Sequence, residues 1–360
     1  QTGHWHFRTG WTRDRFDYGR GDFSQLDRAT TDRLLARAEY DRSFRFSDSD
    51  WRLSLRTGAE LSHYLNRVDN YAEALLREQR ADLYALLRWE WRSRWVVSTN
   101  LRQALATGFE APLTPSLGAE YLHSQTRRSA TKLRASVGRS YRVPTFNERF
   151  WRDLGNPNLR PEHGWNAELG GEYRRQTQKG IAIQGELTAY QNRIDDWVYW
   201  NPATNYRVEN LQLVWARGME ASFKIDYPLG RWRLMGTVQY GLTRSSQERV
   251  YDPTALSIIG KQLIYVPLHN GGFVGQAIYK NTRLSWQAQT GSSRYYTFDN
   301  TKFLPGHMLH NLVVERSALL GKSRWSGQFQ VNNVFDALLL NVKRNAMPGR
   351  SWQVTLTTKI

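Results

Sequence analysis

Residues 210–227 alternate between apolar and polar side chains. Leu211, Leu213, Trp215, Met219, Ala221, Phe223, Ile225 and Tyr227 hold the odd positions, and Gln212, Gly218, Glu220, Ser222, Lys224 and Asp226 the even ones. A strand sends successive side chains to opposite faces, so one face here is greasy and the other is charged. The pattern recurs along the chain, and it is too long and too regular for an ordinary soluble sandwich. A closed antiparallel sheet with lipid outside and water inside requires this alternation.

Composition agrees with that reading. The 360 residues show no linker, no low-complexity block and no change of pattern, so one continuous β domain over 1–360 is expected. Hydrophobic residues make up only 40%, which suffices where every second strand residue is apolar. No run approaches the apolar length of a membrane helix. The 15 Trp and 18 Tyr suit aromatic girdles at two membrane interfaces. The absence of Cys excludes disulfides and thiolate-ligated metals. The formal charge of +17 comes from residues scattered through strands and turns, so no nucleic-acid partner is expected. No signal peptide is visible at Gln1.

Sixteen candidate strands follow from the alternation: 4–16, 33–45, 51–64, 81–91, 95–105, 112–123, 131–143, 165–174, 181–194, 208–227, 231–244, 271–279, 283–296, 307–316, 324–335 and 351–360. Their connections alternate short (91–94, 228–231, 280–283) and long (65–80, 144–164, 195–207, 245–270, 337–350). Tight periplasmic turns and long extracellular loops give this asymmetry. It sends the last strand, ending at Ile360, down into the periplasm and the first, near Trp5, upward. Arg33, Arg37 and Arg42 crowd the face of 33–45, and 65–80 can form a short helix within a loop.

A set of motifs lies over 141–360. Tyr141, Arg142, Val143, Pro144 and Thr145 precede Asn156, Pro157, Asn158, Leu159, Arg160, Pro161 and Glu162, with Glu168 and Gly170 beyond. Further on come 192–196, then Gly218, Met219 and Glu220, then Asn332, Asn333, Val334, Phe335 and Asp336, and finally 347–352. In this order they resemble the barrel domain of the TonB-dependent outer-membrane receptors; residues 1–140 match only by strand pattern. The motif residues Arg142, Pro144, Asn156, Pro157, Leu159, Pro161, Glu162, Gly218, Glu220, Asn332, Asn333, Phe335 and Asp336 read first as structural, because prolines stop pairing and Asn and Gly suit turns. Arg217 lies on the lipid-facing parity, which is costly at mid-depth, so it is expected either to sit near an interface or to be redirected by a bulge at Gly218.

The resemblance implies a transmembrane antiparallel barrel of 22 strands, an N-terminal plug and a TonB box. Counting back from a last strand numbered 22, the chain carries about sixteen strands, and the plug, the TonB box and the first strands are not in it. An open sheet in lipid leaves unpaired edges, so a partial barrel is expected. The implied function is import of a bulky scarce nutrient, namely a ferric siderophore, cobalamin or haem, driven through the TonB complex. Expected partners are the outer membrane with its lipopolysaccharide, the TonB complex through the N-terminal region, and a lipoprotein or other envelope protein. The expected location is the Gram-negative outer membrane. A split barrel anchoring other envelope proteins and a passive diffusion porin are the alternatives; no large constriction loop is obvious in the sequence to support the porin.

Aromatics and arginines gather at expected extracellular loop tips: Trp151 with Arg152, Tyr199 with Trp200, and Arg294 with Tyr295 and Tyr296. Flat rings and guanidinium groups suit a bulky anionic ligand, but an outer aromatic girdle in contact with lipopolysaccharide is the favoured explanation of them. His4 and His6 share a strand face, and His163, His269, His307 and His310 fall at loops or strand ends; they read as polar wall residues unless the ligand is haem. No metal set and no resident cofactor is expected. No nucleophile elbow or phosphate loop occurs, so an enzyme is not expected.

Overall fold

The computed structural model describes residues 3–18, 26–45, 50–251, 253–321 and 323–359. Twenty strands run in chain order: β1 (His4–Tyr18), β2 (Asp27–Arg45), β3 (Trp51–Val68), β4 (Leu76–Trp91), β5 (Trp95–Ala106), β6 (Thr114–Gln125), β7 (Ser129–Arg142), β8 (Glu162–Gln176), β9 (Ala182–Asn201), β10 (Arg207–Leu229), β11 (Trp232–Arg249), β12 (His269–Tyr279), β13 (Thr282–Gly291), β14 (Arg294–Tyr295), β15 (Phe303–Leu304), β16 (His307–Leu320), β17 (Ser323–Asn332), β18 (Leu340–Val342), β19 (Asn345–Ala346) and β20 (Ser351–Lys359). Sixteen of them form one antiparallel meander, each paired with its sequence neighbour, from β1 through β13 to β16, β17 and β20. The pairs β14–β15 and β18–β19 are small ladders within loops. Every strand of the large sheet corresponds to one expected from the alternation. Residue 360, taken as the end of the last strand, lies outside the described residues.

Register explains how local alternation becomes two global faces. Across β7 to β11 the rows Leu133–Gly171–Leu187–Ala221–Tyr240 and Ala135–Leu169–Ala189–Met219–Leu242 join by direct pairing. Leu169, Leu187, Met219 and Tyr240 are exposed, which in water would be costly and in lipid is favourable. The opposite parity holds Arg134, Glu186, Thr188, Glu220, Lys224 and Gln239. In β2 the same rule resolves the crowding: Arg33 and Arg37 face inward and bond Glu60 of β3, with Arg37 Nε at 2.7 Å. Arg42 falls on the outer parity, where its guanidinium covers the Phe44 ring at 4.7 Å.

The outer apolar row of β11 runs from Trp232 to Leu242. At about 3.4 Å per residue and about 40° tilt that row spans about 26 Å, close to the lipid-facing band of an outer-membrane barrel. Paired aromatics mark its lower edge: Trp51 stacks on Trp91 at 5.5 Å, Trp95 on Tyr121 at 4.3 Å, and Trp232 meets Tyr279 at 4.7 Å. These sit beside the short turns 92–94, 230–231 and 280–281, whereas 143–161, 250–268, 292–306 and 333–350 lie at the other end. The alternation of short and long connections is therefore as expected.

Five local expectations are corrected. Residues 65–80 hold no helix: β3 continues to Val68 and β4 begins at Leu76, because cross-strand pairing outweighs the weak helical pattern. The helix of the loops is instead α1 (Phe146–Phe150), closed by a capping box between Thr145 and Glu148. Residues 195–201 and 245–249 are strand rather than loop. The bulge lies in β11, where Glu248 is the extra residue opposite Leu213 and Val214, and pairing runs unbroken through Gly218. A Cβ at Gly218 would lie 2.0 Å from the Leu242 carbonyl oxygen and 2.8 Å from the Tyr190 hydroxyl, so close approach explains this glycine. Finally, 143–161 does fold inward, as its contacts with inner-face residues of β3 and β4 show below.

Candidate ligand-binding face

The long loops form a cap whose parts are tied by polar side chains, among them the buried Glu78, Arg149 and Asp196. Arg142, at the end of β7, is the first knot: its Nε donates to Glu162 Oε2 at 2.8 Å and its Nη1 to Glu148 Oε2 at 3.0 Å. Glu162 Oε1 in turn accepts from the Val198 backbone N–H at 2.8 Å. One guanidinium thus joins the start of α1 to the top of β8 and, through Glu162, to β9. Pro144 beside it is fully buried. Arg149 makes the second knot. It is buried, ion-paired to the buried Glu78 of β4, and stacked near the rings of Phe109, Phe146 and Phe150 at 4.9–5.1 Å. Glu78 also accepts from Arg80 Nε at 2.6 Å. Phe146 reaches Tyr64 of the inner face of β3 at 6.2 Å. These contacts draw α1 inward over the strand ends.

The third knot lies over β9 and β10. Asp196, at φ 56°, accepts from Arg160 Nε at 2.6 Å and from the Tyr251 hydroxyl. Arg160 stacks on the Tyr251 ring at 4.1 Å. Asn210 Nδ2 donates to the Asp196 and Arg160 carbonyls at 2.7 and 3.1 Å. Asn156 Nδ2 donates to the Val208 carbonyl at 3.3 Å, and Leu159 packs with Val198 and Val208 in a buried cluster. Partial burial, then the bond to Asp196, pushes the Tyr251 hydroxyl up to about 12. Pro157 is an exposed turn residue, and Pro161 leads into β8. At the last loop, Asn333 exchanges two hydrogen bonds of 2.8 Å with Ala337, Asp336 Oδ1 accepts from the Arg350 N–H at 2.7 Å, and Asn332 Nδ2 reaches Ser351 Oγ at 3.3 Å. Phe335 is exposed and meets His310 edge-on. Glu220 projects from the inner parity of β10.

The aromatic and arginine candidates fall into two groups. Trp151 and Arg152 follow α1 and belong with the 69–71 segment: Trp151 bridges Tyr71, and Arg152 Nη2 donates to the Asp69 carbonyl at 3.0 Å. Tyr199, Arg294, Tyr295 and Tyr296 are joined by neighbouring loops. Tyr199 meets Phe298 edge-on at 5.8 Å, the Tyr295 carbonyl accepts from Tyr265 N–H, Arg294 Nη2 donates to the Leu340 carbonyl at 2.7 Å, and Lys343 lies over Tyr296 at 5.0 Å. Burial and the nearby Glu209 raise the Tyr199 hydroxyl well above its ordinary range. Tyr199 and Trp200 are strand residues rather than loop tips, and Arg294 is only 8% exposed. Trp200 and Arg152 are exposed.

The histidines do not converge. His6 pairs with Asp41 at 2.7 Å, His163 lies 4.0 Å from Asp195, and His269 bonds the Tyr240 hydroxyl at 2.7 Å. His310 is not at a strand end: it lies within β16 on the outer face and stacks on Trp286. His4 is exposed in β1 and His307 begins β16. Among the described residues no group of three His, Cys, Asp or Glu side chains could hold a metal ion. The residues that sequence reasoning did not single out are Glu78, Arg149 and Tyr251, and Asp196 entered only as the end of the 192–196 motif, without its role. Arg149 had a further local signal, the Thr145-to-Glu148 capping pattern immediately before it.

Comparison with known proteins matches this architecture. The family described as TonB dependent receptor-like, beta-barrel, matches residues 1–334. A Vitamin B12 transporter BtuB of Photobacterium profundum is 26% identical over 182 residues, half of this chain and 27% of that protein. One of Vibrio vulnificus is 37% identical over 69 residues, 19% of this chain and 10% of that protein. The chain therefore spans only a minor part of the curated relatives it matches. Among solved structures, a mutant of the ferric enterobactin receptor PfeA from Pseudomonas aeruginosa superimposes with TM-score 0.70 at 16% identity, covering 99% of this chain and 59% of that one. The siderophore receptor PirA from Acinetobacter baumannii gives 0.69 at 14%, covering 99% and 60%. At such identity these two show the fold. With its sixteen-stranded meander, two-faced register and looped cap, this chain belongs to the TonB-dependent receptor β-barrel family, whose members sit in the lipopolysaccharide-bearing outer membrane of Gram-negative bacteria and work with TonB.

Proposed function

We infer that this chain is barrel wall and ligand cap of a transporter that imports a bulky, scarce nutrient with energy delivered by TonB. The match of residues 1–334 to the family carries the reading. The relatives named for vitamin B12 and the neighbours named for ferric enterobactin set the order of ligands to try: ferric siderophore, cobalamin, then haem. Trp151, Arg152, Tyr199, Trp200, Arg294, Tyr295 and Tyr296 are proposed to border the ligand. The exposed Trp200 and Arg152 offer a flat ring and a cationic fork for an anionic chelate. The domain over 1–360 is proposed to be one part of a larger barrel. Within the described sheet β1 pairs only with β2, and β20 only with β17. In lipid each free edge would leave a row of unsatisfied amides, so closure by further strands supports this reading. A plug, a TonB box and the contact with TonB would then belong to that remaining part, and a lipoprotein or other envelope partner would have its outer rim to bind.

The test is binding of ferric siderophores, cobalamin and haem by the purified whole protein, together with uptake in cells with and without TonB. Submicromolar binding of one ligand and TonB-dependent uptake are expected. If none of the three binds at micromolar concentration, the import reading fails.

A further inference from the structure

The inner wall changes character along the sheet. From β2 to β5 it is ionic: Arg33 and Arg37 pair with Glu60, Arg80 with Glu78, and Arg102 with Asp82. From β11 onward three consecutive inward rows carry no charge. The first runs Gln239–Gly272–Gln289–Leu309, the second Thr237–Val274–Gln287–Asn311, and the third Met235–Gln276–Ser285–Val313–Gln330–Gln353, each joined by direct pairing. On β10 the same rows meet Ser222, Lys224 and Asp226, which fixes them on the inner parity. In the row below, Arg283 and Glu315 neutralise each other at 3.3 Å.

This sector is hollowed. A cavity of about 420 Å³ lies against Thr237, Gln239, Gly272, Gln287, Gln289 and Asn311. A second, of about 560 Å³, shares Gln239, Gly272 and Gln289 with it and extends to Glu220 and Arg134. Gly272 is the floor common to both. Its surroundings do not demand a glycine: a Cβ there would meet only the Ala288 carbonyl oxygen, at an ordinary 3.7 Å, and its φ lies outside the left-handed region. Glycine within a strand costs about 0.5–1 kcal/mol relative to alanine. A strand glycine that neither backbone nor packing requires marks a place where something else approaches closely.

The walls of the hollow show what that is. Gln239 and Gln289 flank Gly272 across both ladders and are exposed to the lumen. Together with Gln276 and Gln287 they make no side-chain hydrogen bond among the described residues. Each free amide offers two donors and an acceptor. On β17, by contrast, Gln328, Gln330 and Asn332 bond one another at 3.1 and 2.6 Å. Uncommitted amides without charge hold neutral hydroxyl, carbonyl and amide groups weakly, one site after another, so that a solute can enter and also leave. In the ionic sector the polar groups are already committed to each other.

We propose that the hollow over Gly272 is a binding station on the path of the imported ligand, and that the uncharged wall from β11 to β20 is the lane it follows. Gln239, Gln287 and Gln289 hold the ligand's neutral hydrogen-bonding groups, and Gly272 leaves room for its bulk. The ionic wall of β2 to β5 carries no such station. This assignment rests on the import reading.

The test uses cells making the whole protein, with ferric enterobactin, cyanocobalamin and haem as probes. Gly272→Leu fills the hollow and is expected to cut TonB-dependent uptake about tenfold, while the probe affinity of the purified protein stays within about twofold of wild type. Heat-modifiable gel migration reports folding. Gln287→Cys gives a comparison within one folded protein, since this chain has no cysteine of its own. Reaction of its thiol with a bulky neutral maleimide during uptake, verified by mass spectrometry, should cut the remaining uptake about fivefold. Ala104→Cys, on the inner parity of β5 opposite Asp82, is treated in the same way and is expected to keep its uptake. If Gly272→Leu does not fold, the thiol arm decides. Uptake that is absent or independent of TonB in wild type would bring down the import reading and the station with it. Normal uptake by folded Gly272→Leu, a Gln287→Cys thiol that does not react during uptake, no block once it has reacted, or an equal block from Ala104→Cys would overturn the station alone.

Discussion

Replacing Arg149 by Met should release α1 from the inner wall. A helix of five residues has no stability of its own in water, so its hydrogen bonds report the tertiary contacts that hold it. Arg149 and Glu78 are both more than nine-tenths buried, with side-chain exposures of 7% and 3%. Breaking a buried pair from one side costs about 3–5 kcal/mol. Glu78 keeps Arg80, and Met keeps most of the packing on Phe146 and Phe150, so the lower end applies, about 3 kcal/mol. That corresponds to about a 150-fold rise in local opening. The assay is amide hydrogen exchange on the whole protein in detergent. It would follow the Arg149 and Trp151 N–H groups, which donate to Thr145 and Asn147 carbonyls, with the Val137 amide of β7 as control. Glu78→Gln should produce a related loss, and the double variant should cost much less than the two single losses added. A loss of protection under threefold in Arg149→Met, or strict additivity, would refute the idea that this pair anchors the loop.

Two other outcomes follow from the faces and the cap. Leu187→Arg, in the middle of the outer band of β9, should destabilise the barrel by about 2–4 kcal/mol in denaturant unfolding from lipid vesicles, whereas Ser222→Arg on the inner face should change it little; similar costs for both would mean the faces are misassigned. The Tyr251 hydroxyl is held up to about 12 against an ordinary value of about 10, so its contribution to the cap is complete below about pH 10 and is lost as pH rises through about 12. Ultraviolet titration should therefore show Tyr251→Phe removing a component with a midpoint near 12, and removal of one near 10 would contradict the bond to Asp196.

The strands were legible because alternation is a one-dimensional signal imposed residue by residue by lipid on one side and water on the other. It placed all sixteen strands of the sheet, and the alternation of short and long connections supplied the expected direction of each. Strand ends were less legible. Val68, Asn201 and Arg249 extend their strands beyond the apolar band, where pairing persists after the lipid-imposed pattern stops. The cap was hardly legible, since Glu78 finds Arg149, and Asp196 finds Arg160 and Tyr251, only after distant segments meet. Parity alone makes Arg217 legible as outward-facing, whereas the bulge expected to redirect it at Gly218 is not there, since pairing is regular through both residues.

Several bonds that hold the cap end on main-chain carbonyls: Asn156 on Val208, Asn210 on Asp196 and Arg160, Arg152 on Asp69, and Arg294 on Leu340. A carbonyl acceptor is present whatever side chain its residue carries. The residue at the receiving end of each such tie can therefore change without loosening it, provided the backbone path is kept. Loops fastened in this way can be rewritten for a new cargo while the frame beneath them stays the same.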